Sequence, residues 1–155
     1  YFLFVANNQV IKNVDFILQS FNRLKQDIKF KEYKLFLVGG WKEYENKKQQ
    51  IISMGNISSQ KLKKLYQQAT ALLTASHYES FNFPVLEALS QGCPVIGLKT
   101  AIVPEFKPYV NLADSLDEFV KNMKKIPKKP TVQSINRLYT KLNWKNYVNN
   151  LVRLY

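Results

Sequence analysis

The sequence predicts a doubly wound α/β domain, a parallel sheet with helices packed on both faces. Three observations lead there. Short continuous apolar runs, the mark of strands buried on two sides, alternate with apolar stripes of helical period. Glycine, proline and serine punctuate the boundaries between them. No linker-like composition and no internal repeat divides the chain, so residues 1–155 read as one domain.

The elements follow in order. Tyr1 to Ala6 is short, aromatic and uninterrupted, as a buried strand is. Val14, Ile17, Leu18, Phe21 and Leu24 then share one helical face. Lys34 to Val38 is a second strand, stopped by Gly39-Gly40, and Ile51 to Gly55 is a weaker third. Ser58 and Ser59 are hydroxyl caps for a helix striped by Leu62, Leu65, Tyr66 and Ala69. Ala71 to Ala75 is a fourth strand. Pro84 opens the next helix, where its missing N–H costs nothing, and Gly92 closes it. Pro94 to Leu98 is a fifth strand. The final third reads as helical over 115–125, 132–142 and 144–155, with Trp144, Tyr147, Val148 and Leu151 as the last stripe. In such a sheet ligands sit beyond the carboxyl ends of the strands, here after Ala6, Gly39, Gly55, Ser76 and Leu98.

Composition narrows the partners. The longest nearly apolar stretch, Ala69 to Ala75, is far shorter than the roughly 18 residues of a membrane span. The N-terminal Tyr-Phe-Leu-Phe-Val lacks the basic start and cleavage site of a secretory signal. Cys93 is the single cysteine, which excludes a disulfide framework or a cysteine-based zinc site and fits a reducing compartment. A net charge of +12 draws the domain toward anions such as nucleic acid, an acidic membrane face or phosphorylated substrates. The densest cluster, Lys121, Lys124, Lys125, Lys128 and Lys129, reads either as a solvated helix end or as a patch for an anionic partner. Nucleic acid is disfavoured because no clustered basic-aromatic face is recognisable.

The most informative segment runs from Ser76 to Leu89, off a strand end and into a helix. The first amides of a helix lack internal partners and its dipole favours negative charge, so the start of this helix is an anion site. Asn82 is positioned as its N-cap. Glu79 lies in the loop and Glu87 about one turn into the helix, so the two carboxylates border one crevice. Phosphate on the amides and sugar hydroxyls on the carboxylates would suit that crevice. The same residues also read as a solvated loop glutamate and a helix-stabilising first-turn glutamate.

This segment, followed by Gln91-Gly92-Cys93-Pro94-Val95-Ile96, resembles the signature of family-4 retaining glycosyltransferases of GT-B architecture. That signature reads Glu-Gly-Phe-Gly-x-Pro-x-x-Glu-Ala and then Gly-x-Pro-Val. Here seven residues separate Glu79 from Glu87, and Pro84, Ala88, Gly92, Pro94 and Val95 are in place. Phe2 to Val5 with Lys12, Leu35 to Gly39, Gly55-Asn56-Ile57-Ser58 with Leu65-Tyr66, Val103-Pro104-Glu105 and the terminal helix are similar in order to the rest of the family's second domain.

The resemblance implies a Rossmann-like half of a GT-B enzyme with C-terminal helices, its N-terminal acceptor domain lying outside residues 1–155. It implies that Glu79 and Lys12 are catalytic, Glu79 against the donor sugar and Lys12 neutralising the diphosphate leaving group. Glu87 would bond the ribose hydroxyls and the Phe81 and Asn82 amides would hold sugar or phosphate. Gly55 and Ile57 would line the base pocket, with Gly39, Asn7 and Ser80 completing the donor site. No metal and no cofactor are expected. The substrates would be a nucleotide-diphosphate sugar and a glycan or lipid-linked acceptor, in bacterial surface polysaccharide synthesis. The setting would be cytoplasmic, with an anionic inner membrane face as a further partner. The isolated domain would transfer little sugar by itself.

Three departures stand out. Asn7 sits near the family's first-loop arginine, so one diphosphate cation is missing. Ser80 and Asn82 replace the two glycines of Gly-Phe-Gly; Asn, after Gly, best tolerates a left-handed backbone. The span from Gly40 to Gly55 is short enough to truncate a helix. A non-catalytic nucleotide-sugar-binding or interaction domain is the alternative reading. Of the remaining residues, His77 and Trp41 read as structural or as donor contacts, Cys93 as a small buried hydrophobe, and Glu105 as a helix-start cap or a donor-side contact.

Overall fold

A computed structural model describes residues 1–141 of the chain. Six strands form one parallel sheet in the order β3-β2-β1-β4-β5-β6. They are β1 (Phe2–Val5), β2 (Leu35–Val38), β3 (Ile51–Gly55), β4 (Ala71–Thr74), β5 (Val95–Leu98) and β6 (Asn111–Ala113). The helices are α1 (Val14–Leu24), α2 (Ser59–Gln68), α3 (Phe83–Ser90), α4 (Leu116–Lys124) and α5 (Val132–Lys141). The strand order runs outward from β1 in both directions, the Rossmann-like arrangement whose switch point lies between β1 and β4.

Alternation along β1 sorts the core into two layers. Phe2 and Phe4 face α1 and α4, packing with Ile17, Phe21, Phe119 and Met123. Leu3 faces the other way, toward Leu65 and Tyr66 of α2, Val85 and Leu89 of α3, and Leu138 of α5. Continuous apolar strands are required because both faces are covered.

The sequence reading of five strands and the helices through α5 agrees with the structure to within a residue or two. The sixth strand, β6, was not foreseen: Asn111-Leu112-Ala113 is too short to show a period, and pairing with β5 makes it a strand. The stretch after Val103-Pro104 is a turn rather than a helix start, with Glu105 exposed. The short Gly40–Gly55 span does lack an α-helix; one 3-10 turn, Lys42–Tyr44, bridges β2 to β3. The expected last helix over 144–155 lies outside the described residues.

Trp41 is a packing residue. It is buried, lies against Phe4 and Tyr44, and its indole Nε1 donates to the Ala6 carbonyl at 2.8 Å. Gly39 answers to the same carbonyl: at φ 119° a Cβ there would fall 1.9 Å from the Ala6 oxygen, so no other residue fits.

Cys93 is buried between α3 and β5, and burial pushes its thiol up from 9.0 to about 12. Only the thiolate is nucleophilic. Iodoacetamide at mildly alkaline pH should therefore leave the native chain unmodified and alkylate it once urea has unfolded it, a difference read directly by mass spectrometry.

Candidate functional site

Two loops at the carboxyl edge meet across the β1–β4 switch point. The first, Ala6 to Asn13, follows β1 and includes one 3-10 turn, Val10–Lys12. The second, Ala75 to Asn82, follows β4. The His77 amide donates to the Ile11 carbonyl at 3.0 Å, which ties them together. A third loop joins them where Thr100 Oγ1, beyond β5, donates to the Ser76 carbonyl at 3.0 Å.

Lys12 and Glu79, 67 residues apart, form an ion pair at the centre, Nζ to Oε1 2.8 Å. The side chains are 21% and 10% exposed, so the pair is shielded yet reachable. Ser76 Oγ donates to the same Oε1 at 2.7 Å. Among the described residues no hydrogen bond falls on Oε2. Glu87 is held similarly: the Tyr66 hydroxyl of α2 donates to its Oε2 at 3.0 Å, and no described bond reaches its Oε1. Each glutamate thus has one oxygen fixed by the protein and one with acceptor capacity left for a ligand hydroxyl.

Both helices that begin here start from a left-handed asparagine. Asn13 (φ 54°) precedes α1 and Asn82 (φ 60°) precedes α3. Neither side chain caps its helix, which corrects the expectation for Asn82. The Asn13 amide instead donates to the Ala75 carbonyl at 3.1 Å. The buried Asn82 amide donates to Thr74 Oγ1 at 3.2 Å and to the Ala101 carbonyl at 2.8 Å. Asparagine tolerates the backbone angle that the family signature assigns to glycine, and its side chain anchors the loop to the end of β4.

A pocket of about 210 Å³ opens between these parts, lined by residues that include Ala6, Asn7, Lys12, Ser76, Glu79 and Asn82. The amino end of α3 and the Lys12 ammonium, itself paired with the Glu79 carboxylate, border it. The residues expected from the sequence do not all meet here. Lys12, Glu79, Asn7 and Asn82 line this pocket, while Glu87 stands at α3 against Tyr66. Ser80 is exposed in the loop; Phe81 is half-buried, its ring against Phe83 and Phe106. Gly55 (φ 60°) ends β3 and Ile57 follows it, packed on the α2–α3 side of the sheet. Gly39 uses its lack of a side chain within the fold, as above. His77 and Tyr78 are exposed at the rim. Ser76 and Tyr66, which orient the two glutamates, were not singled out as site residues by sequence. Tyr66 shows in the sequence as part of an apolar stripe and of a stretch similar to the family's, and nothing in either pattern marks its hydroxyl.

Comparison with known proteins bears on the family and the fold. A family model described as "Glycosyl transferases group 1" matches residues 1–132. The O-antigen chain mannosyltransferase B of Escherichia coli is 30% identical over 115 residues, covering 68% of this chain and 30% of that protein. The structure of the lipopolysaccharide outer core galactosyltransferase WaaB, 23% identical, superposes with a TM-score of 0.74 over 99% of this chain and 49% of that one. The pneumococcal O-GlcNAc transferase GtfA, in complex with UDP and GlcNAc, is 16% identical with a TM-score of 0.62 over 94% of this chain and 30% of that one. The chain thus spans less than half the length of each of these proteins.

Two outcomes follow for stability. Asn82→Ala keeps the left-handed angle, now in a residue that disfavours it, and loses both side-chain bonds; a cost of about 2–4 kcal/mol is expected. Asn82→Gly loses the bonds but not the angle, so urea midpoints should rank native, then Asn82→Gly, then Asn82→Ala. Burial, then the neighbouring Glu87 charge, raises the Tyr66 phenol above its ordinary 10.0. The native chain then holds a proton that the unfolded chain releases, so stability falls as pH climbs past 10.0. Tyr66→Phe should flatten that alkaline decline in a pH series of urea midpoints.

Proposed function

The chain belongs to the glycosyl transferases group 1 family, and from that premise we propose that it is the donor-binding domain of a retaining glycosyltransferase. It would take a sugar from a nucleotide-diphosphate donor for a glycan or lipid-linked acceptor. The observation that carries this reading is the Lys12–Glu79 pair beside the amino end of α3, with a second half-free carboxylate at Glu87.

The chemistry follows from placement. As the anomeric C–O bond breaks, negative charge collects on the departing diphosphate and positive character on the sugar carbon. The Lys12 ammonium and the dipole of α3 are already fixed where the leaving group's charge develops, so no reorganisation is needed in the transition state. Glu79, held by Lys12 and Ser76, presents its remaining oxygen to the donor sugar. Glu87, held by Tyr66, accepts from ribose hydroxyls. Transfer proceeds with retention and without a metal. The acceptor is recognised by a second domain, and the whole enzyme acts in building a bacterial surface polysaccharide from the cytoplasmic side. Among the described residues no helix is long and apolar enough to cross a membrane.

Thermal shift with UDP, GDP, ADP and CMP tests the reading, UDP foremost because the GtfA complex contains it. A ligand at 100 times its Kd adds about 2.7 kcal/mol, a shift of several degrees at this size. One nucleoside diphosphate should stabilise the native chain, and Glu87→Ala should weaken it. Lys12→Ala should cost about tenfold or more for the diphosphate while sparing the corresponding nucleoside. Stabilisation by none of the four would overturn the reading.

A further inference from the structure

Exposed apolar side chains gather at the carboxyl edge. Among the described residues seven large apolar side chains are exposed, and four of them, Val10, Ile11, Tyr78 and Phe83, stand in or beside the two loops around the donor pocket. The chain itself ties them to the pocket. Ile11 precedes Lys12, Tyr78 precedes Glu79, and Phe83 lies between Asn82 and Pro84, all four of these neighbours lining the pocket. The bond from the His77 amide to the Ile11 carbonyl joins the Ile11 and Tyr78 parts of the mouth. A single exposed apolar residue needs no explanation, but four around one opening mark a binding surface.

The fold makes little use of these side chains. Val10 is 94% exposed and serves its 3-10 turn with its carbonyl, which accepts from the Asn13 amide at 3.0 Å. Tyr78 is 67% exposed, and among the described residues no hydrogen bond falls on its hydroxyl. Phe83 is 66% exposed yet held in place. Its ring lies 4.9 Å from that of Phe81, which lies 5.4 Å from the ring of buried Phe106.

The apolar groups do not run together. Lys12, Glu79 and the exposed His77 and Ser80 come between them. A lipid chain needs an unbroken apolar channel, whereas a sugar ring suits a surface that alternates. Its C–H face packs on aromatic and aliphatic side chains, and its hydroxyls bond the charged and polar groups between them. Direction comes from the donor-site reading, on which this inference rests. Transfer with retention brings the acceptor hydroxyl in on the side from which the diphosphate leaves. That is the side of Lys12, where Val10 and Ile11 stand and Tyr78 follows the residue bonded to Ile11. We propose that this mouth seats the terminal sugar ring of a glycan acceptor, with Tyr78 stacked on its C–H face and Val10 and Ile11 flanking it. This domain thereby shares in acceptor recognition with the second domain, and the group beside the attacking hydroxyl is a sugar rather than a lipid.

Saturation-transfer NMR tests the proposal with the methyl pyranosides of glucose, galactose, mannose and N-acetylglucosamine, and with octyl glucoside as the lipid control. At least one methyl pyranoside should take up saturation from the native chain, most strongly at the C–H protons of one ring face. Tyr78→Ala should cut that transfer several-fold and Tyr78→Phe should keep it, because stacking needs the ring and not the hydroxyl. Val10→Ser/Ile11→Ser should cut it as well. Thermal midpoints and nucleotide-induced shifts should match the native chain in all three variants, which separates lost sugar contact from lost folding or lost donor binding. Absent nucleotide shifts alongside Tyr78-dependent transfer would fail the donor reading and keep the sugar seat. No transfer to any methyl pyranoside would overturn the proposal, as would transfer confined to the octyl chain. Transfer that Tyr78→Ala leaves intact would overturn it too, and its loss in Glu79→Gln would then place the sugar in the donor position.

Discussion

Parallel pairing is the constraint on which the rest of this structure depends. Each strand must be followed by a crossover that returns the chain to the opposite edge before the next strand begins. With all six strands parallel, every strand ends at one edge, and the helices following β1 and β4 begin there. Residues as distant in sequence as Lys12 and Glu79 become neighbours because β1 and β4 are neighbours. The same constraint sends the ends of α1 and α4 to the other edge, where their turns meet. Chemistry and surface character are thereby divided between two ends of one sheet, separated by layers of packed apolar side chains.

Within the pocket, charges hold each other in place. A lysine and a glutamate this well shielded would each be costly if alone. Paired, with a serine hydroxyl on the same carboxylate oxygen, they form a preset arrangement with one oxygen in reserve. Tyr66 does the same for Glu87 from a different helix. The two glutamates of the signature are therefore not equivalent: one is tied to a cation, the other to a neutral phenol, and the first is better matched to a site where charge develops.

Much of the fold was legible because burial on both faces writes itself as continuous apolar runs, and α1 and α4 as clean stripes. What escaped was decided by tertiary partners. Asn111-Leu112-Ala113 is a strand only because β5 offers it an edge. Val103-Pro104-Glu105 carries a helix-start pattern, yet the chain must cross back to the amino edge and turns instead. The two glutamates were legible from their spacing, but their bonds to Lys12 and Tyr66 depend on which strands and helices are adjacent. Asn82 was legible as a left-handed residue and misread as a cap, since no local pattern reveals that its amide reaches Thr74 and Ala101.

Asn13 and Asn82 have a joint effect that neither has alone. Each opens a helix, and each sends its amide to the end of β4, to Ala75 and Thr74 respectively. The starts of α1 and α3 are thus moored to two adjacent buried residues, Thr74 at the end of β4 and Ala75 just beyond it. Slow local opening of one loop would release the strand end that secures the other, so the two should breathe as one cooperative unit rather than independently. An all-or-none opening of that kind spares an incoming anion the separate entropic cost of ordering each helix start.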